Sequence, residues 1–295
     1  MRNPSERRGK ESKKMVRVFT NSVSDIPPAL AQAEGVTLIP DVIAFGPGEQ
    51  YLNNVDIGPP ALYKKLASSP VLPTTSHPNL AQYEDAFRAA GDCTEILCIN
   101  LTSKMSGSYN TACTARKMLM EEGFTVPITV YDSLQVSFGL CILVLEAARM
   151  ARAGASAAQI VARLDEMRDQ VGVYFVMESL ANARKGGRVG AIRVLAADLL
   201  HVKPVLMFRD GLVRDVGIVH GFEAAVEQVI DRYRKQAKYG GEVFVFHADR
   251  EALARQVCIR LLGIDPAATV HIEWVGAVIG IYTGAGCIGL AFREA

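Results

Sequence analysis

The sequence predicts an α/β protein of two domains: an N-terminal domain built on a parallel sheet, then a C-terminal α/β domain with a mixed or antiparallel sheet. Three observations predict it. Short apolar runs alternate with helical segments through the first half, a pattern that right-handed crossovers turn into a parallel sheet. Gly154 and Ser156 then interrupt the pattern. Beyond them, two apolar runs meet at Arg209-Asp210-Gly211, a hairpin signal. The expected division is a disordered basic tail over 1–14, a first domain over 15–157 and a second over 158–295.

The elements follow in order. Residues 16–20 are a β-branched run and read as the first strand. Two prolines then lead into a helix that Gly35 ends. Residues 36–45 read as one further strand. Prolines 59 and 60 open a second helix from its first turn. Residues 73–78 read as loop, because prolines bracket them. Leu80, Tyr83, Ala86, Phe87 and Ala90 mark one face of a helix. A buried strand over 94–100, a helix over 108–123 and a strand over 126–133 come next. Gln135 to Ala153 is a long, largely buried helix, and Ser156 caps another. In the second half, 171–177 is a strand and 180–200 a Gly-punctuated helical region. The hairpin over 203–219 precedes a helix, a strand, a helix and two closing strands.

Composition narrows the function classes. The formal net charge is +1, but residues 1–14 hold six Lys or Arg and two Glu, so the remaining chain carries −3. A mildly acidic body offers no basic face for phosphates, so no nucleic acid is expected. No apolar run follows the basic start, so no secretory signal is expected. Val275 to Phe292 holds no charge over 18 residues, but five glycines interrupt it. Two buried strands joined by a Gly-rich turn suit it better than a membrane segment. The six cysteines show no CxxC spacing, so neither zinc nor a disulfide framework is expected, and a reducing, cytoplasmic compartment is.

Loops at the carboxyl ends of parallel strands build ligand sites. Three qualify: Asn21-Ser22, Leu101 to Gly107, and Asp132-Ser133. Hydroxyl groups gather at Thr74-Thr75-Ser76 and at Thr102-Ser103 with Ser106-Gly107-Ser108. Ser106 and Ser108 can cap the following helix, or hydroxyls and helix-terminal amides together can hold a carboxylate or phosphate. Lys185-Gly186-Gly187-Arg188 is a basic turn, suited to solvent, to an anion or to a partner protein. Gly284 to Gly289 matches GxGxxG, but only six residues follow it, so it reads as a turn into a last strand. The five histidines show no metal-ligand spacing.

In this order, these segments resemble the DegV family of fatty-acid-binding proteins, from about residue 16 to 292. The family's Thr-Asp-Ser opening with its later acid-Leu-Pro appears as Thr20-Asn21-Ser22 and Asp25-Ile26-Pro27. Its Pro-Thr-Thr-Ser-Gln-Pro loop appears as Pro73 to Pro78 with His77 in place of Gln, and its Ser-Gly-Ser/Thr-Tyr as Ser106 to Tyr109. Asp132-Ser133, Lys185 to Arg188, Lys203-Pro204 and the glycines 280, 284, 286 and 289 also match. The resemblance implies a two-domain fold with a Rossmann-like N-terminal domain and a long-chain fatty acid between the domains. It places the carboxylate on Thr75 and Ser106. It adds Thr74, Ser76, Ser22, Gly107, Tyr282 and Thr283 as ligand-binding positions. No cofactor besides the bound lipid is implied, and no catalysis.

Some members hand their ligand to a fatty-acid kinase. The resemblance makes Arg188 and Lys185 the contacts for such a partner. Two departures from the family matter here: Tyr282 stands where a His is usual, and His220 where many members place an Arg; Asn21 in place of Asp is a smaller one. Lipid binding is therefore expected, and the kinase relay is weakened. Two other functions compete: an acyl hydrolase with Ser106 as nucleophile, and an anion or nucleotide module using the Ser/Thr loops and Arg188. The first needs a base within reach of Ser106; the second lacks a P-loop. Chain length of the lipid and oligomeric state stay open.

Overall fold

The computed structural model describes residues 15–188 and 202–295. The basic segment 1–14 and most of the Gly-punctuated region after Arg188 lie outside the described residues. The chain opens with β1 (Val16–Asn21), α1 (Pro28–Glu34), β2 (Val36–Ile39), β3 (Val42–Gly46), β4 (Glu49–Leu52), α2 (Pro59–Ser68) and β5 (Thr74–Ser76). It continues with α3 (Leu80–Arg88), β6 (Glu95–Asn100), α4 (Ser108–Glu121), β7 (Ile128–Asp132), α5 (Ser137–Arg152) and α6 (Ala157–Met167). The second half is β8 (Val171–Val176), α7 (Ala181–Lys185), β9 (Val202–Arg209), β10 (Leu212–His220), α8 (Phe222–Gln236) and β11 (Glu242–His247). It closes with α9 (Glu251–Ile264), β12 (Thr269–Trp274), α10 (Ala277–Thr283) and β13 (Ile288–Arg293).

A four-stranded parallel sheet runs in the order β2-β1-β6-β7. Its strand order reverses between β1 and β6, so the loops after those two strands flank the crevice where such sheets take ligands. A six-stranded sheet runs β10-β9-β8-β13-β11-β12, antiparallel except for β11 beside β12. Helix α5 lies between the two sheets. Ten of its sixteen residues are buried. Phe138 stacks on Phe244 and Phe246 of β11 at 5.2 and 5.4 Å between ring centres. Helices α3 and α4 cover the far face of the parallel sheet, and α8 and α9 that of the mixed sheet. The end of α5 is tied to β11 by a two-pronged Arg149–Glu242 pair, which with His271 holds the Glu242 carboxyl down at about 2.

Three elements differ from expectation. Residues 36–45 are two strands in two sheets, because Pro40 has no N–H to donate and breaks the ladder. Residues 74–76 form β5, which pairs with β3 in a small antiparallel sheet with β4. Pro73 and Pro78 fall just outside the three paired residues, so the ladder lacks no donor. Val275 to Phe292 holds α10 and then β13, not two strands. Helix α10 is buried nearly all round, so its apolar residues carry no period to read. Gly280 admits the hydroxyl of Tyr63 from α2, and that hydroxyl donates to Val275 O at 3.3 Å. Ser156 caps α6 in a capping box with Gln159, as expected. Among the described residues no helix is long and apolar enough to cross a membrane.

The strand-end loops carry buried polar side chains. The Tyr83 hydroxyl accepts from Asn21 Nδ2 (2.6 Å) and donates to Asn100 Oδ1 (2.7 Å), with Ser108 Oγ at 2.6 Å. An Asp at position 21 has no N–H to supply that first bond, which gives Asn21 its reason. Ser22 Oγ donates to Asp41 Oδ2 at 2.7 Å. Ser137 Oγ donates to Asp25 Oδ2 at 2.6 Å, and both residues hold positive φ. Gly276 approaches Asp25 so closely that a Cβ there would lie 1.9 Å from Oδ1. Burial pushes both Asp25 and Asp41 up to about 7, against the pull of their hydroxyl and backbone donors.

A carboxyl raised in the folded state favours folding at acid pH, and loses that contribution as pH rises through about 7. Asp25→Asn does not titrate. Its stability relative to the native chain is expected to improve by about 2 kcal/mol between pH 5 and pH 8. Urea unfolding at the two pH values measures this, and a pH-independent difference would contradict the assignment.

Candidate functional site

A cavity of about 350 Å³ lies between the two sheets, beyond the N-terminal end of α5. Its size is that of a small-molecule site. The mixed sheet supplies an apolar wall: Phe175, Leu206, Phe208, Val213 and Phe246, with Met177 beyond β8. Leu101 and Met105 face it from the loop after β6, and Val278 and Ile279 from α10.

Part of the lining is polar, and several of these groups touch one another. Thr75 on β5 and Tyr282 on α10 meet hydroxyl to hydroxyl at 2.5 Å, across 207 positions of sequence. Ser106 stands at the foot of α4, whose N-cap is Gly107, and its hydroxyl accepts from the Ser108 amide at 3.2 Å. It therefore bonds locally without being the cap itself. The His77 ring lies against Gly107, with Cε1 3.0 Å from where a Cβ would be.

The Lys185 to Arg188 turn walls this polar part. A Cβ on Gly186 would touch the Tyr282 ring at 2.4 Å, and the Arg188 guanidinium lies 5.6 Å from the same ring. Tyr282 is thus held between a bare backbone and a cation. Arg188 is anchored by donating to Gly186 O at 2.8 Å. The hairpin tip reaches the loop that carries Ser106: Thr102 Oγ1 donates to Gly211 O (3.2 Å) and Lys104 Nζ to Asp210 O (2.8 Å). Gly211, at positive φ, has no room for a Cβ against Thr102.

The structure brings Thr75, Ser76, Ser106, Gly107, Tyr282, Thr283 and Arg188 to the cavity. Thr74 points outward on β5, and Lys185 is exposed. Ser22 is buried and spends its hydroxyl on Asp41, while Asn53 donates to it at 2.9 Å. His220 is exposed at the end of β10. Sequence reasoning missed Asp41, His77 and Ser137 as lining residues. For His77 a signal existed: it stands two residues from Thr75 in the same proline-bracketed segment. Among the described residues no three His, Cys, Asp or Glu gather as a metal site.

Comparison with known proteins agrees with this arrangement. A family model described as an uncharacterised protein of the DegV family matches residues 15–295. A DegV domain-containing protein of Halalkalibacterium halodurans is 32% identical over 285 residues, covering 94% of this chain and 98% of that protein. A fatty-acid-binding DegV family protein of Thermus thermophilus superposes with a TM-score of 0.84 at 26% identity, covering 95% of this chain and 100% of the other. DegV of Bacillus subtilis, described as a fatty acid binding protein, gives 0.86 at 25%, covering 96% and 100%. By the family match over its whole described length and by these relatives, the chain belongs to the DegV family.

Proposed function

We propose that the protein binds a long-chain fatty acid in the cavity between its 15–157 and 158–295 halves and carries it without transforming it. The observation that supports this best is the cavity's mixed lining: the hydroxyls of Thr75, Ser106 and Tyr282 together with a broad aromatic and aliphatic wall. The carboxylate would accept hydrogen bonds from Thr75, Ser106 and Tyr282, and the tail would lie along Phe175, Phe208 and Phe246. Hydrogen bonds to a charged group return about 1.5–3 kcal/mol each. At about 0.8 kcal/mol per buried CH₂, some fifteen methylenes contribute roughly 12 kcal/mol gross. Association costs of about 4 kcal/mol or more come off that sum. No cofactor is needed. Free cysteines throughout the described residues support a reducing, cytoplasmic setting.

Arg188 and Lys185 lie exposed beside the head-group end. A fatty-acid kinase would meet the lipid there, with His220 giving less cationic surface than an Arg.

Organic extraction and mass spectrometry of the freshly purified protein tests the reading. A near-stoichiometric C14–C20 fatty acid is expected; an empty extract, with no thermal shift on adding such acids, would overturn it. The double variant Thr75→Ala with Ser106→Ala is expected to bind palmitate at least about a hundredfold more weakly. Unchanged affinity by titration calorimetry would move the head group elsewhere. Gly186→Ala keeps an ordinary φ but pushes the Tyr282 ring aside, and is expected to weaken palmitate about tenfold with the melting temperature little changed.

A further inference from the structure

His77 lines the cavity beside Thr75 and against Gly107, yet the hydroxyl set described above does not use it. Its own bonding fixes its chemistry. The Thr111 hydroxyl donates to Gly107 O at 3.3 Å, so its oxygen is left to accept, and His77 Nε2 stands 3.0 Å from it. With the Thr111 hydroxyl turned that way, Nε2 carries the hydrogen of the neutral ring, and Nδ1 is the atom that gains or loses a proton. Thr75 and His77 both line the cavity, His77 one residue past the end of β5, and the His77 ring touches Gly107, the neighbour of Ser106. A carboxylate held by Thr75 and Ser106 would therefore lie beside the imidazole.

We infer that His77 is the titrating member of the head-group end, its imidazolium pairing with the bound carboxylate so that the lipid is held more tightly as pH falls. This rests on the fatty-acid reading above. The surroundings make the change of state two-sided. Without an anion, burial holds the imidazole below its ordinary value, and no neighbouring charge offsets this. The first turn of α4, Ser108 to Thr111, carries no charge, and its helix end disfavours a cation. The paired β3 residues Val42, Ile43 and Ala44 are apolar. The other titratable or charged groups on the cavity wall are Asp41, Arg188, Tyr282 and Cys287. Arg188 opposes a second cation, and Asp41 titrates in the same region.

A bound carboxylate reverses the preference, so His77 takes up a proton on loading. By reciprocity, affinity is flat above the loaded-state value, rises as pH falls through it, and levels off below the empty-state value. One pK unit of displacement corresponds to a tenfold change in affinity.

The test follows the five histidines by NMR in delipidated and palmitate-loaded full-length protein, with His77→Gln assigning the signal. Palmitate affinity is measured in parallel at pH 7.5 and pH 5.5. The expected results are a His77 value higher by about one unit on loading, and binding about tenfold tighter at pH 5.5. His77→Gln, which can keep the Thr111 contact, is expected to bind at both pH values with that dependence lost. Binding with a His77 value unchanged or lowered overturns the inference alone. So does a profile that survives in His77→Gln but vanishes in Asp41→Asn. No palmitate binding at either pH overturns the fatty-acid reading and this inference with it.

Discussion

The Asp25 carboxyl, shut away from water, is the contact on which the arrangement of the molecule turns. It sits after β1, receives the Ser137 hydroxyl from the start of α5 and abuts Gly276 at the start of α10. Three segments far apart in sequence therefore meet on one group. Taking a carboxylate out of water costs several kcal/mol unless it is hydrogen-bonded or discharged. Here both happen: hydroxyl and backbone donors are supplied, and burial raises the group to about 7. The geometry follows from the burial. Gly276 has no Cβ because the carboxyl occupies that space, and Ser137 and Asp25 both take left-handed backbone to reach each other.

That junction also explains why there is a cavity. Along its length α5 fills the gap between the sheets with Phe138, Leu140, Leu143 and Val144. At Ser137 the helix begins, and only Val136 and Ser137 at this end reach the cavity wall. Beyond them the sheets still face each other, spaced by a helix that is no longer present. The space is lined by what each sheet shows its partner, which is apolar on the mixed sheet and strand-end loops on the parallel one. The switch point between β1 and β6 directs those loops, and hence Ser106, at the opening.

Much of this was legible in the sequence. Alternating runs, caps and hairpin signal are local, and β1, β6, β7, α5, α6 and the β9–β10 hairpin fell where they pointed. Buried elements were less legible. Helix α10 is apolar on every side and rich in β-branched residues, so its helicity comes from packing on Tyr63 and α7 rather than from propensity. β5 was hidden because its prolines mark ends rather than breaks. Thr75, Ser106 and Tyr282 could be named from motif resemblance, but not the meeting of Thr75 with Tyr282, a contact between segments 207 positions apart. His77 was one of five histidines without spacing, and only the fold sets it beside Gly107.

The head-group end owes its economy to being complete without a ligand. Thr75 and Tyr282 satisfy each other, Ser106 takes the Ser108 amide, and His77 takes Thr111. A Lys or Arg inside the cavity would leave a buried charge whenever the site stood empty, at a cost of several kcal/mol. Hydroxyls carry no such penalty, because on the proposed fatty-acid reading they would exchange one partner for another as the carboxylate arrives and leaves. Arg188, the one described guanidinium on the wall, keeps to the exposed side and acts on Tyr282 through its ring face. On that reading the site would gain most of its affinity from the apolar wall and use the hydroxyls to decide which end of the lipid points out. That division suits a carrier, whose cargo must be held by its tail, recognised by its head and still be released.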